Sequence, residues 1–109
     1  MEKSSLTALA RELLASAKTK SSGRSARTVY GGHERVLRQT MVALTAGSSL
    51  DEHDNPGEAT VHVIAGKLVL RAGDVSWEGS PGDHLVVPLA RHSVEALEDS
   101  AFLLTVAKP

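Results

Sequence analysis

Gly47-Ser-Ser-Leu-Asp-Glu-His53-Asp-Asn55-Pro-Gly-Glu58-Ala59-Thr-Val-His62-Val-Ile-Ala-Gly66 is followed, sixteen residues after its last glycine, by Gly82-Asp83-His84-Leu-Val-Val-Pro88-Leu-Ala-Arg-His92. These two stretches decide the reading of the chain. Each is a short apolar run set between turn residues, with histidines inside or beside the run. Thr60 to Ala65 is apolar apart from His62, and His84 to Val87 is a run of strand-forming residues.

The same pattern extends outward. Arg27 to Tyr30, Glu34 to Leu44, Lys67 to Arg71, Val75 to Glu78, Ser93 to Leu97 and Ala101 to Ala107 all read as strands. Ala72-Gly73-Asp74 is a turn of hairpin type, and Gly47, Asn55-Pro-Gly57, Gly66, Ser80-Pro-Gly82 and Glu98-Asp99-Ser100 mark the other breaks. Upstream the period changes. Leu6, Leu9, Leu13 and Leu14, with Ala10 and Ala17, recur at helical spacing behind a capping Ser4 or Ser5. This predicts an amphipathic helix of about three turns whose leucine face packs on the strands or on a partner subunit. Lys20 to Ser25 is a polar linker. The expected division is residues 1–23, helix and linker, and residues 24–109, an all-β antiparallel barrel or double sheet.

The two opening stretches resemble the signature motifs of the cupins, small jelly-roll β-barrels that often hold one metal ion. Gly47, His53 and Gly66 fall in place in the first motif, and Gly82 and His92 in the second. Asn55 stands where the first motif has its second histidine and Ala59 where it has its glutamate. Val87, Leu89 and Ala96 take the proline, glycine and asparagine slots of the second. The resemblance implies an antiparallel jelly-roll β-barrel with strands carrying Ala59 and His62 beside strands carrying His84 and Val87.

In an intact motif, alternate strand residues aim two imidazoles into the barrel, and a carboxylate and a third histidine close the site. Such a set suits one divalent transition ion, Mn, Fe, Ni, Cu or Zn. This chain keeps His53 and His92 as metal candidates, with Asn55 a weak neutral ligand and Ala59 no ligand at all. Glu58 has the wrong parity unless a bulge turns it inward. The plainer reading makes His53, Asn55, Ala59, Val61 and His92 the wall of a small pocket. On the same register His62 comes opposite His84, facing away from the interior. There, two half-buried histidines at a sheet face or dimer interface are the plain reading and a metal site the sharper one.

Composition narrows the function classes. The net charge of −1 gives no global pull toward nucleic acid or anionic lipid, and three aromatics, Tyr30, Trp77 and Phe102, are too few for base stacking. No run approaches the roughly 18 apolar residues of a membrane span. The chain has no cysteine, hence no thiolate ligand or nucleophile, which fits a cytoplasmic protein. Trp77 is expected to pack in a core or interface. Arg24, Arg27, Arg35 and Arg38 are expected to pair with acidic residues, and His33 to lie in a surface turn.

Three hypotheses remain at this stage. The first is a binding or sensing barrel for a small, mostly apolar ligand. The second is a mononuclear metal enzyme of dioxygenase or isomerase type using His53 and His92. The third is an interaction protein. The exposed sheet face of such a fold further predicts a homodimer.

Overall fold

The computed structural model describes residues 2–53 and 57–108. Among these it contains one helix, α1 (Leu6–Lys18), and nine strands: β1 (Arg24–Tyr30), β2 (Leu37–Leu44), β3 (Ser49–His53), β4 (Glu58–Ala65), β5 (Leu68–Ala72), β6 (Val75–Gly79), β7 (His84–Val87), β8 (His92–Ala96) and β9 (Ser100–Ala107). The strands form two antiparallel sheets, ordered β1-β2-β9-β4-β7 and β3-β8-β5-β6. This is the jelly-roll arrangement, built as two packed sheets.

Alternation sorts the five-stranded sheet into two faces. Val42, Leu44, Val61, Val63, Val87 and Phe102 point inward, where they meet Leu68, Leu70, Val94 and Ala96 of the other sheet. On the outer face Met41, Ala43, Ala101 and Leu103 are covered by Ala10, Leu13 and Ala17 of α1. The small alanines on both sides let helix and sheet come close. Ser5 caps the helix by accepting from the Ala8 N–H at 3.2 Å. Two ion pairs tie its polar side down: Arg27–Glu12 at 3.2 Å and Lys18–Asp99 at 3.5 Å.

Two glycines of the opening stretches have a backbone reason for being glycine. Gly66 and Gly82 have φ of 79° and 92°, in the left-handed region. At Gly66 a Cβ would also run into the Asp99 carbonyl and the Ser100 side chain. Ser100 is fully buried under that turn, where its hydroxyl accepts from the Lys67 N–H at 3.0 Å and donates to the Glu98 carbonyl at 2.7 Å.

Several local expectations are corrected. Ser49–His53 was not expected as a strand, yet it pairs with β8 through Ser49↔Glu95, Leu50↔Val94 and His53↔His92. Arg24 and Ser25 are strand rather than linker, held opposite Leu44 and Ala43. Glu34 to Val36 is not strand, because the Arg38 guanidinium donates to the Arg35 and His33 carbonyls, each at 3.0 Å, and folds the segment back. Trp77 is 41% exposed on β6, an edge strand, and is not core. Of the four arginines, Arg27 and Arg35 do sit beside carboxylates, Glu12 and Glu34, while Arg38 is used on backbone carbonyls. His33 is exposed in the loop before β2.

Candidate functional site

The fold brings His53, inside the first opening stretch, beside His92, the last residue of the second. His53, at the end of β3, is the register partner of His92, at the start of β8. A register shift between Leu50 and His53 places one extra residue in β3, a local bulge at the sheet edge. His92 is 5% exposed, and its Nδ1 lies 3.0 Å from the Ala90 carbonyl oxygen. A carbonyl only accepts, so Nδ1 carries a proton in this contact. The Arg91–Glu52 ion pair, at 3.0 Å, bridges β8 and β3 on the exposed side of this pairing.

Behind His92 lies a small interior cavity of about 20 Å³, lined by Leu50, Val61, Leu70, Val87, Val94 and Phe102 among others. Room on that scale takes about one water molecule. Among the described residues His92 is the one polar side chain of its lining. Among the described residues the interior is therefore a packed apolar core with the His92 imidazole at its margin.

This donor set fits a resident metal poorly. Among the described residues no three His, Cys, Asp or Glu side chains come together. Ala59 faces inward where the resemblance calls for a carboxylate, buried between Val87 and Val106. Glu58 is not turned inward by a bulge: β4 runs in regular register from Glu58 to Val63, so its carboxylate stays on the exposed outer side. Asn55 lies outside the described residues. His92 and the residue opposite it thus supply at most two imidazoles, against the three and a carboxylate of the full motif.

The sequence reading missed a larger concavity. A groove of about 400 Å³ runs along the β9-β4-β7 side of the outer face, bounded by Glu58, Thr60, Val86, Leu89, Thr105 and Ala107. Thr60 is the register partner of both Thr105 and Val86, so these three form one row across the sheet. Gln39 Nε2 donates to Thr105 Oγ1 at 3.2 Å, which leaves the threonine proton to donate elsewhere. Val87 lines both this groove and the interior cavity. The one signal in the sequence was Leu89, an apolar residue in a glycine slot, and it is 80% exposed.

The other histidine pair lies on the same outer face. His62 and His84 are register partners across β4 and β7, and both are exposed.

Comparison with solved structures places this architecture. The chain superposes on a conserved protein of unknown function from Streptococcus pyogenes with a TM-score of 0.73 at 25% identity, over 83% of this chain and 78% of that one. A cupin superfamily protein from Desulfitobacterium hafniense gives 0.72 at 17% identity, over 79% and 78%. An RmlC-like cupin from Desulfovibrio desulfuricans gives 0.68 at 25% identity, over 77% and 81%. No protein-family profile matches the chain, and no curated protein does. The fold is that of the cupins. Within that class, the solved structures it resembles include a small RmlC-like cupin. Among the described residues no helix is long and apolar enough to cross a membrane.

Proposed function

We propose that the protein is a small-molecule-binding module, with no catalytic step of its own, and that its ligand lies in the outer groove. The carrying observation is the groove itself. Its volume of about 400 Å³ lies within the range of drug-sized ligand sites, and its wall is mostly apolar with a few polar groups placed at its edges. Val86 and Leu89 supply apolar contact, the Thr105 hydroxyl a donor, and the Glu58 carboxylate an acceptor. This chemistry suits a small apolar body carrying an amine or hydroxyl. The interior, with about 20 Å³ of room, accommodates nothing of that size.

Nuclear magnetic resonance titration with hexylamine, hexanol and hexanoate tests the reading. Amide shifts are expected at Thr60, Val86, Leu89 and Thr105, with hexylamine binding tighter than hexanoate and Glu58→Gln removing that difference. Shifts centred on His92, with the groove residues unmoved, would refute it. So would stoichiometric metal in untagged protein that disappears in His92→Ala. That result would restore the reading as a mononuclear metal enzyme, in which His53 and His92 hold one divalent ion.

A specific observation favours a homodimer as well. Tyr30, Val36 and Leu37 are 43%, 60% and 44% exposed at one end of the β1–β2 pair, where Leu37 is the register partner of the groove residue Ala107. A second copy covering this apolar strip would border the groove. Light scattering at micromolar concentration is expected to give twice the chain mass, and Val36→Asp with Leu37→Asp the single mass. A monomeric wild type ends this reading.

A further inference from the structure

We propose that His62 and His84 form a surface site for a borderline divalent transition ion, Cu²⁺, Ni²⁺ or Zn²⁺. The two residues are direct register partners on neighbouring antiparallel strands, so their side chains leave the same face of the sheet. The hydrogen-bond pattern fixes which kind of pair they are. One residue further on, the Val63 N–H donates to the Asp83 carbonyl at 3.0 Å, and the Val63 carbonyl accepts from the Gly82 N–H at 2.9 Å. Val63 is therefore the hydrogen-bonded position of this ladder. Bonded and non-bonded pairs alternate, so His62 and His84 form a non-hydrogen-bonded pair, the class in which side chains stand closer. Cβ atoms about 5 Å apart let two imidazole nitrogens reach the roughly 3.4 Å separation that two metal–nitrogen bonds of about 2.05 Å require in a tetrahedral site.

The surroundings support the assignment. Neither β4 nor β7 contains a Lys or Arg, so no cation on these strands competes with the ion. Across the sheet on the same row the neighbour of His62 is Leu103, followed by Met41, and the nearest basic residue of that row is Arg27 on the opposite edge strand. Both rings are exposed, so the ion needs no path into the protein and keeps positions for water or an exchangeable ligand. This makes an open site rather than a closed structural one. Because β7 is an edge strand held through the four pairs Ala59↔Val87 to His62↔His84, an ion bridging its first residue to β4 fastens that edge.

The test is calorimetric titration of untagged protein with copper, nickel and zinc chloride, repeated on His62→Gln, His84→Gln, His33→Gln and His92→Gln. One ion per chain is expected, with copper tightest by the general affinity order. Each of the first two substitutions should weaken binding at least the roughly tenfold that even an outer-shell change costs, and the last two should leave it unchanged. Paramagnetic Cu²⁺ should broaden amide signals around 62 and 84 first. The exposed positions make the variants good folders, and an unchanged circular-dichroism melt without metal verifies that. No heat of binding up to about 1 mM metal, binding indifferent to both His62→Gln and His84→Gln, or binding lost only with His92→Gln would each overturn the proposal.

Discussion

The molecule contains two cross-strand pairings of histidine, and they sit in opposite surroundings. His53 and His92 are partners at the edge of the four-stranded sheet, and His92 is sealed against the apolar interior. His62 and His84 are partners near the edge of the five-stranded sheet and face solvent. Residue type and register are the same in both, yet the environment assigns them different work. On the inner wall a polar group is costly unless it is hydrogen-bonded, and the buried His92 imidazole meets the Ala90 carbonyl through Nδ1. On the outer wall the same group is open to solvent. Ala59 presents no ligand on the inner side of β4, while His62 stands on the outer side of the same strand, opposite His84 of β7.

Truncations across one strand pair test that inner and outer divide. Phe102 is buried to 1% exposure on the inner face, and Phe102→Ala should cost about 3–5 kcal/mol in urea denaturation. Val61→Ala, on the inner face of β4, should cost about 2 kcal/mol, whereas Val86→Ala, 71% exposed on the outer face of the adjoining β7, should stay within about 0.5 kcal/mol. Equal costs for the two valines would mean that the outer face is covered in solution, which is what a partner subunit on it would produce.

Replacing the histidines sharpens the comparison at lower amplitude. His92→Ala enlarges the interior cavity and removes the donor to the Ala90 carbonyl, and should cost about 2 kcal/mol. His62→Ala and His84→Ala should each lie within about 0.5 kcal/mol without metal. Chemical denaturation without added metal measures all three. An indifferent His92→Ala would make the inner imidazole a functional group held at no structural benefit, and would favour the enzyme reading.

The legibility of the chain followed the same divide. β4 and β7 were readable because Val61, Val63, Leu85 and Val87 supply the inner face and glycines with left-handed φ stop the runs. β3 was not, because Leu50 is its only apolar residue and Asp51 and Glu52 are exposed; its existence rests on pairing with β8, a long-range contact that local pattern does not encode. Arg24 and Ser25 became strand for the same reason. Trp77 is not core because a five-residue edge strand in a hairpin cannot cover so large a side chain. The register of His62 and His84 followed from the resemblance to the cupins, and the face they point to from parity. The groove did not, because it is made by one row from three strands and the non-strand residue Leu89.

The smallest expected effect comes from Asp99, which belongs to neither pair and so separates acid sensitivity of the clamp from anything the histidines do. Its carboxylate accepts from the Ala46 N–H at 2.9 Å and meets Lys18 at 3.5 Å, joining the end of α1, the loop after β2 and the turn before β9. The backbone hydrogen bond from Ala46 lowers its pKa below the ordinary 3.8, Lys18 adds to that, and burial opposes it. A folded-state pKa below the unfolded value means stability that is fully present above the unfolded value and is lost as pH falls through the folded one. The side chain is 43% exposed, so solvent screening keeps the contribution well under about 1 kcal/mol. Asp99→Asn should therefore leave stability above pH about 5 nearly unchanged apart from that small loss, and flatten its decline in more acidic solution. A decline in Asp99→Asn as steep as in the wild type would assign the acid sensitivity to other carboxylates and leave this clamp with no electrostatic role.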